Sequence, residues 1–151
     1  MRYPILVAVL ATCLIAPPCF SQTARKDSSL CMFQKDATEG SRTTVQVAGI
    51  FGEGLDLGTL SNAACPEETT WVELALRDNK NKEKLRRILE RSHASQAFAV
   101  FEGEFYGPPQ PDPKLPEAIR KSYHPNWGHM NCCRTKLVVY VIKDVRPAPA
   151  N

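Results

Sequence analysis

Two alternating stretches, 43–51 and 96–106, constrain this chain more than anything else in it. In the first, Val45, Val47, Gly49 and Phe51 share one face; in the second, Ala99, Phe101, Gly103 and Phe105 do. Successive side chains of a strand point to opposite faces, so apolar residues at period two mean a half-buried β-strand. Val-x-Gly-x-Phe in the first stretch is echoed by Phe-x-Gly-x-Phe in the second. A glycine inside a strand marks a sharp bend, as at the corner of a barrel.

The remaining elements follow from period and breakers. Leu55 and Leu57 alternate with polar neighbours until Gly58, Asn62 and Pro66 break the run, which gives a short second strand. Val72, Leu74 and Leu76 alternate with Trp71, Glu73 and Ala75 in a third. Between Asp78 and Ser92 the period changes: Leu85, Ile88 and Leu89 form the i, i+3, i+4 stripe of a short amphipathic helix, with Asp78 as its N-cap. Residues 96–106 are then the fourth strand, and the β-branched run from Leu137 to Ile142 is the fifth. Leu30, Met32 and Phe33 suit one or two helical turns packed on the barrel, and Pro116 to Ser122 one more turn. Inward parity predicts a core of Val47, Phe51, Leu74, Phe101, Phe105 and Val139.

The result is a mainly β fold with one short helix, in the order β-β-β-α-β-β. Over Thr43 to Val145 this resembles the OB-fold, a five-stranded Greek-key barrel. Val45-Gln-Val-Ala-Gly49, Phe101-Glu-Gly103, Trp127-Gly-His129 and the Leu-Val-Val run at 137–139 are similar to a group of small exported bacterial proteins with such a domain and no assigned activity. The resemblance implies a fold and a compartment and carries over no catalytic residue. Two features depart from the general pattern: a connection of about 25 residues between strands four and five, where 4–6 is usual, and the cysteine pair at its end.

The N-terminus supports the same compartment. Arg2, a nearly unbroken apolar run from Tyr3 to Ala16, then Pro17, Pro18 and Ser21 follow the order of a secretory signal. The run is about 14 residues long, short of the ~20 that a membrane-spanning helix needs. The expected division is a signal peptide at 1–21, an N-terminal segment with short helical turns at 22–42, the OB-like barrel at 43–147 and a tail at 148–151. The product is expected to be exported, periplasmic or secreted, with no transmembrane anchor. About 130 residues remain, which suits one domain with a modest core. The net charge of the chain is +3. That balance does not itself call for a nucleic-acid partner.

Cleavage would remove Cys13 and Cys19 and leave Cys31, Cys65, Cys132 and Cys133, which in an oxidising compartment are disulfide candidates. Vicinal cysteines fit a mutual disulfide poorly, so at least one bond is expected from the Cys132–Cys133 pair to Cys31 or Cys65. Neighbours in a strand face opposite ways, which leaves one of the pair as an alternative buried thiol.

Several groups carry candidate chemistry. His124, His129, Cys132 and Cys133 supply zinc-ligand types, but H-x4-H-x2-C-C is not a standard zinc spacing. A cysteine nucleophile beside a histidine base has the residue types and no surrounding motif. Glu102 and Glu104 share the outer face of strand four, where charges point to water, and glycosidase-like work from them rests on residue type alone. Lys80 to Arg91 is basic but interleaved with Glu83 and Glu90; with Glu83 and Arg87 as an i, i+4 pair it reads as a solvated helix face.

Tyr106, Tyr123 and Trp127 lie among Pro108, Pro109, Pro111, Pro113, Pro116 and Pro125. Such aromatics stack on sugars, bases or peptides at low entropic cost, or fold inward and cover an open barrel end. The reading is a non-catalytic binding or interaction module using the face of strands two and three and two loops at one barrel end. Its contact residues would be Trp71, Tyr106, Tyr123, His124, Trp127 and His129. The rivals are a metal-dependent or thiol enzyme centred on His124, His129, Cys132 and Cys133, and a docking domain of an envelope assembly. No cofactor is expected. An envelope protein or an oligosaccharide is the expected class of partner, and export argues against nucleic acid.

Overall fold

Alternation at 42–53 and 96–106 brings two long strands together, and the rest of the sheet closes around them. The structure, a computed structural model, describes residues 29–53, 58–77, 80–92, 95–122 and 124–149. The proposed signal, Leu55, Leu57, Asp78 and Tyr123 lie outside the described residues. The strands are β1 (Arg42–Glu53), β2 (Gly58–Ser61), β3 (Thr69–Leu74), β4 (Gln96–Tyr106) and β5 (Thr135–Pro147). They form a closed barrel in the order β1-β2-β3-β5-β4. The β3–β5 pairing is parallel; β1–β2, β2–β3, β1–β4 and β4–β5 are antiparallel.

β4 alternates buried and part-exposed side chains from Ala97 to Tyr106, as its period two dictates. Val45, Val47, Phe51, Phe101, Phe105, Leu137 and Val139 fill the barrel. The Phe51 and Phe101 rings meet edge to face with centroids 5.5 Å apart. Gly103 sits at a register irregularity between β4 and β5. A Cβ there would come within 2.0 Å of the Val138 carbonyl oxygen, so glycine is required by the approach of the neighbouring backbone.

Among the described residues there are three α-helices, of which the first two pack on the barrel. In α1 (Ser29–Asp36), Leu30 and Gln34 are buried, and the Gln34 side-chain amide donates to the Thr70 hydroxyl at 3.0 Å. The Thr70 and Thr135 hydroxyls lie 2.8 Å apart, so β3, β5 and α1 share one buried polar thread. α2 (Lys82–Arg91) connects β3 to β4 and buries Leu85 and Leu89, two residues of the expected stripe. Its described N-cap is Asn81, whose side chain donates to the Ile142 carbonyl at 2.6 Å instead of capping the helix. α3 (Glu117–Ser122) buries no residue. Among the described residues, no helix is long and apolar enough to cross a membrane.

Three expectations are corrected. Leu74, assigned to the core, is 42% exposed. It has inward parity with Thr70 and Val72, but β2 accompanies β3 only from Thr69 to Val72, so Leu74 has a strand on one side alone. Gly58, taken as a breaker, is the first residue of β2 and pairs with both Glu53 and Val72. Finally, the disulfide is Cys31–Cys65, with Cα atoms 5.8 Å apart, and Cys132 and Cys133 are free thiols. α1 lies against the β2–β3 connection, so these two cysteines meet each other and not the later pair.

Candidate functional site

The connection from Gly107 to Arg134 is held down at both ends. Gly107 N donates to the Ser41 carbonyl at 3.0 Å, and Gly40 N donates to the Pro108 carbonyl at 2.9 Å. An Asx turn at Asp112, whose side chain accepts from Lys114 N at 2.8 Å, bends the proline-rich stretch towards α3. Trp127 and Cys133 exchange two backbone hydrogen bonds of 2.7 and 3.2 Å, closing a small turn. Within that turn Gly128, Met130 and Asn131 have φ of 81°, 57° and 55°. Gly128 can adopt this conformation freely, and any Cβ on it would come within 2.3 Å of the Trp71 ring.

Aromatic residues anchor the turn to the outer barrel wall. Arg42, Tyr106, Lys136 and Trp71 occupy one cross-strand row over β1, β4, β5 and β3. The Trp127 indole N–H donates to the Gly107 carbonyl at 2.8 Å, and its ring meets Tyr106 at 6.1 Å. Lys136 Nζ stands 4.1 Å from the Trp127 centroid and 5.1 Å from that of Tyr106, with Glu73 at 3.4 Å as its ion partner. One position along, Glu104 accepts hydrogen bonds from Arg42, from Tyr140 at 2.7 Å and from Tyr106 at 2.9 Å. These donors, Arg42 first and then Tyr140 and Tyr106, hold its carboxyl down at about 2. Such a carboxylate does not serve as a general acid near neutrality.

Anchoring the loop in this way leaves a cleft beside it. Glu39, Pro108, His124, Pro125, Asn126 and Arg134 line an open space of about 270 Å3. Arg134 Nη2 donates to the Ala37 carbonyl at 3.0 Å, which aims the guanidinium across the 37–40 turn. Asn126 is steadied by a 3.2 Å hydrogen bond to the Asn131 carbonyl. One acidic, one basic and one imidazole side chain thus converge between proline walls.

The sequence candidates separate in space. Trp71 is only 6% exposed beneath Gly128, and Tyr106 and Trp127 are half-buried in the anchor. His124 is in the cleft, whereas His129 is exposed on the small turn. Cys132 is exposed; Cys133 is buried, with its sulfur 3.6 Å from the Thr69 hydroxyl. Burial, followed by a hydrogen bond with Cys132, pushes the Cys133 thiol up to about 11. Among the described residues no three His, Cys, Asp or Glu side chains are grouped to hold a metal. Sequence reasoning missed Glu39, Asn126 and Arg134; the glycine at position 40 was the one local sign of a turn that lines a site.

No family model matches this chain, and no curated protein or solved structure is significantly similar to it.

Proposed function

We propose that this chain is an exported, non-catalytic binding module on an OB-fold-like Greek-key barrel, and that its ligand seat is the cleft of Glu39, His124, Asn126 and Arg134. The strand order β1-β2-β3-β5-β4 with a parallel β3–β5 contact supports the OB-like reading. The Cys31–Cys65 disulfide supports an oxidising compartment. The observation that carries the binding role is the cleft itself: His124, Asn126 and Arg134, on a loop anchored by Trp127, face Glu39 of the 37–40 turn. A concave site with a few convergent polar groups suits a small polar ligand, such as a short glycan or peptide segment. Trp71, Tyr106 and Trp127 serve this site by fixing the loop.

Amide resonances of the labelled protein are to be titrated with an N-acetylglucosamine tetrasaccharide and, separately, with a charged pentapeptide. The expected result is a set of shifts centred on His124, Asn126 and Arg134 with one probe, weakened in Arg134→Gln. No shift from either probe at concentrations on the order of 1 mM, where even weak sites fill, overturns this seat. Export is tested by intact mass: a product beginning near Gln22 is expected, and an uncleaved chain in the membrane fraction contradicts it.

A further inference from the structure

The charged segment around α2 looks evenly mixed in sequence, yet in space one arginine takes up both of the helix's carboxylates. Arg86 takes both acidic residues: it binds Glu83 at 2.9 and 3.1 Å and also binds Glu90. The expected Glu83–Arg87 pair does not form, because Arg86 occupies Glu83 from three residues away. On the adjoining face Lys80, Lys84, Arg87 and Arg91 line an open groove of about 410 Å3, together with Glu83 and Ile88. Lys84, Arg87 and Arg91 have the spacing of one face of α2, and Lys84 to Arg91 spans roughly 10 Å at a helical rise of about 1.5 Å per residue. Glu83 is committed to Arg86. Lys84 has one long ion pair, 3.7 Å to Asp144, and Arg87 and Arg91 have no acidic partner among the described residues.

A second open cleft, of about 290 Å3, shares Ile88 and Arg91 with this groove and continues over Ser92, Gln96, Pro147 and Ala148. The cationic row therefore leads onto an apolar floor with hydroxyl and amide groups at its side.

We infer that this trough binds an anionic polysaccharide. Acid groups of the polymer meet Lys84, Arg87 and Arg91, and sugar faces lie on Ile88, Pro147 and Ala148. Charges fixed in a row on a rigid helix complement a polymer with repeating anions. A bilayer surface fits less well, because the large exposed apolar residues Met32, Leu74, Ile119 and Met130 line neither cleft and nothing there would insert. A nucleic-acid strand fits less well too. Its bases stack on aromatic platforms, and neither cleft has an aromatic side chain. The trough shares no residue with the Glu39–His124–Arg134 cleft, so each reading stands or falls alone.

Heparin serves as the test polymer, with calorimetry on the purified protein in about 50 mM salt, where screening is modest. Arg87→Gln with Arg91→Gln is expected to weaken binding about tenfold or more, with the salt dependence reduced because fewer counterions are released. Lys114→Gln with Arg120→Gln removes the same charge elsewhere and is expected to leave affinity within about twofold. Arg91→Gln alone, the milder change, should fall between them; thermal melts of each variant confirm folding. Equal affinity in all proteins, or no heparin binding by the unmodified chain, overturns the inference. So does groove-dependent binding to phosphatidylglycerol vesicles or oligothymidine with none to heparin.

Discussion

Glu104 is held ionised on the outer wall, where Arg42, Tyr106 and Tyr140 all donate to it. Its carboxyl is lowered from 4.5 to about 2, so its contribution to stability is fully present above its unfolded value. It is lost as the pH falls towards the folded value. Glu104→Gln is expected to flatten the acid limb of unfolding between about pH 4.5 and pH 2. Urea midpoints measured across that range check it, and parallel acid limbs for the two proteins contradict it. Inside the wall, Phe101 is fully enclosed and touches Phe51. Phe101→Ala is expected to cost about 3–5 kcal/mol, read by denaturant melts. At this scale inward parity was legible for Val47, Phe51, Phe101, Phe105 and Val139, since alternation fixes which way a strand residue points. The partners of Glu104 were not, because Arg42 and Tyr140 lie 62 and 36 residues away on other strands.

Among the elements, the cysteines show what spacing can and cannot settle. Strand parity was expected to leave one sulfur of the pair buried; Cys133 is buried and Cys132 exposed, but both precede β5 and Cys132 has helical backbone angles, so the small turn and not strand alternation divides them. Pairing depends on which loops meet, and four cysteines allow three connectivities. Here α1 and the β2–β3 connection meet, and Cys31–Cys65 follows. Non-reducing peptide mapping is expected to link those two alone. Native alkylation should reach Cys132 quickly and Cys133 only after unfolding, since Cys133 is buried and its thiol is raised to about 11. A bond from Cys132 or Cys133 to Cys31 or Cys65 contradicts this arrangement. The bond closes a loop of sequence separation 34. The chain-entropy model then gives about 4 kcal/mol, so reduction should lower the melting temperature clearly. The long β4–β5 connection was legible as an elaboration, but its cleft was not: Arg134 reaches the 37–40 turn across 97 residues.

For the whole molecule, closure rests on the last strand. β5 pairs with β4 on one side and β3 on the other, so without it two strand edges are left open and Val72, Phe101 and Phe105 lose their neighbours Leu137 and Ile142. The barrel cannot close until the C-terminal end of the chain is in place. The helix period, the glycine echo and the β-branched run were all visible in the sequence, and together they implied five strands and a helix. That β5 lies parallel to β3 was not, because α2, β4 and the long connection separate the two strands in sequence, and the buried Thr70–Thr135 contact that marks their register joins residues 65 apart. Such distant pairings carry the entropy cost of closing long segments. A chain ending at Arg134 is therefore expected to show no cooperative thermal transition and to aggregate through its open edges. A chain ending at Pro147 keeps every ladder pairing and should melt within about 2 °C of the full chain. Calorimetry of the two truncations decides the matter: a sharp transition in the shorter one would mean that β1 to β4 form a stable sheet without closure.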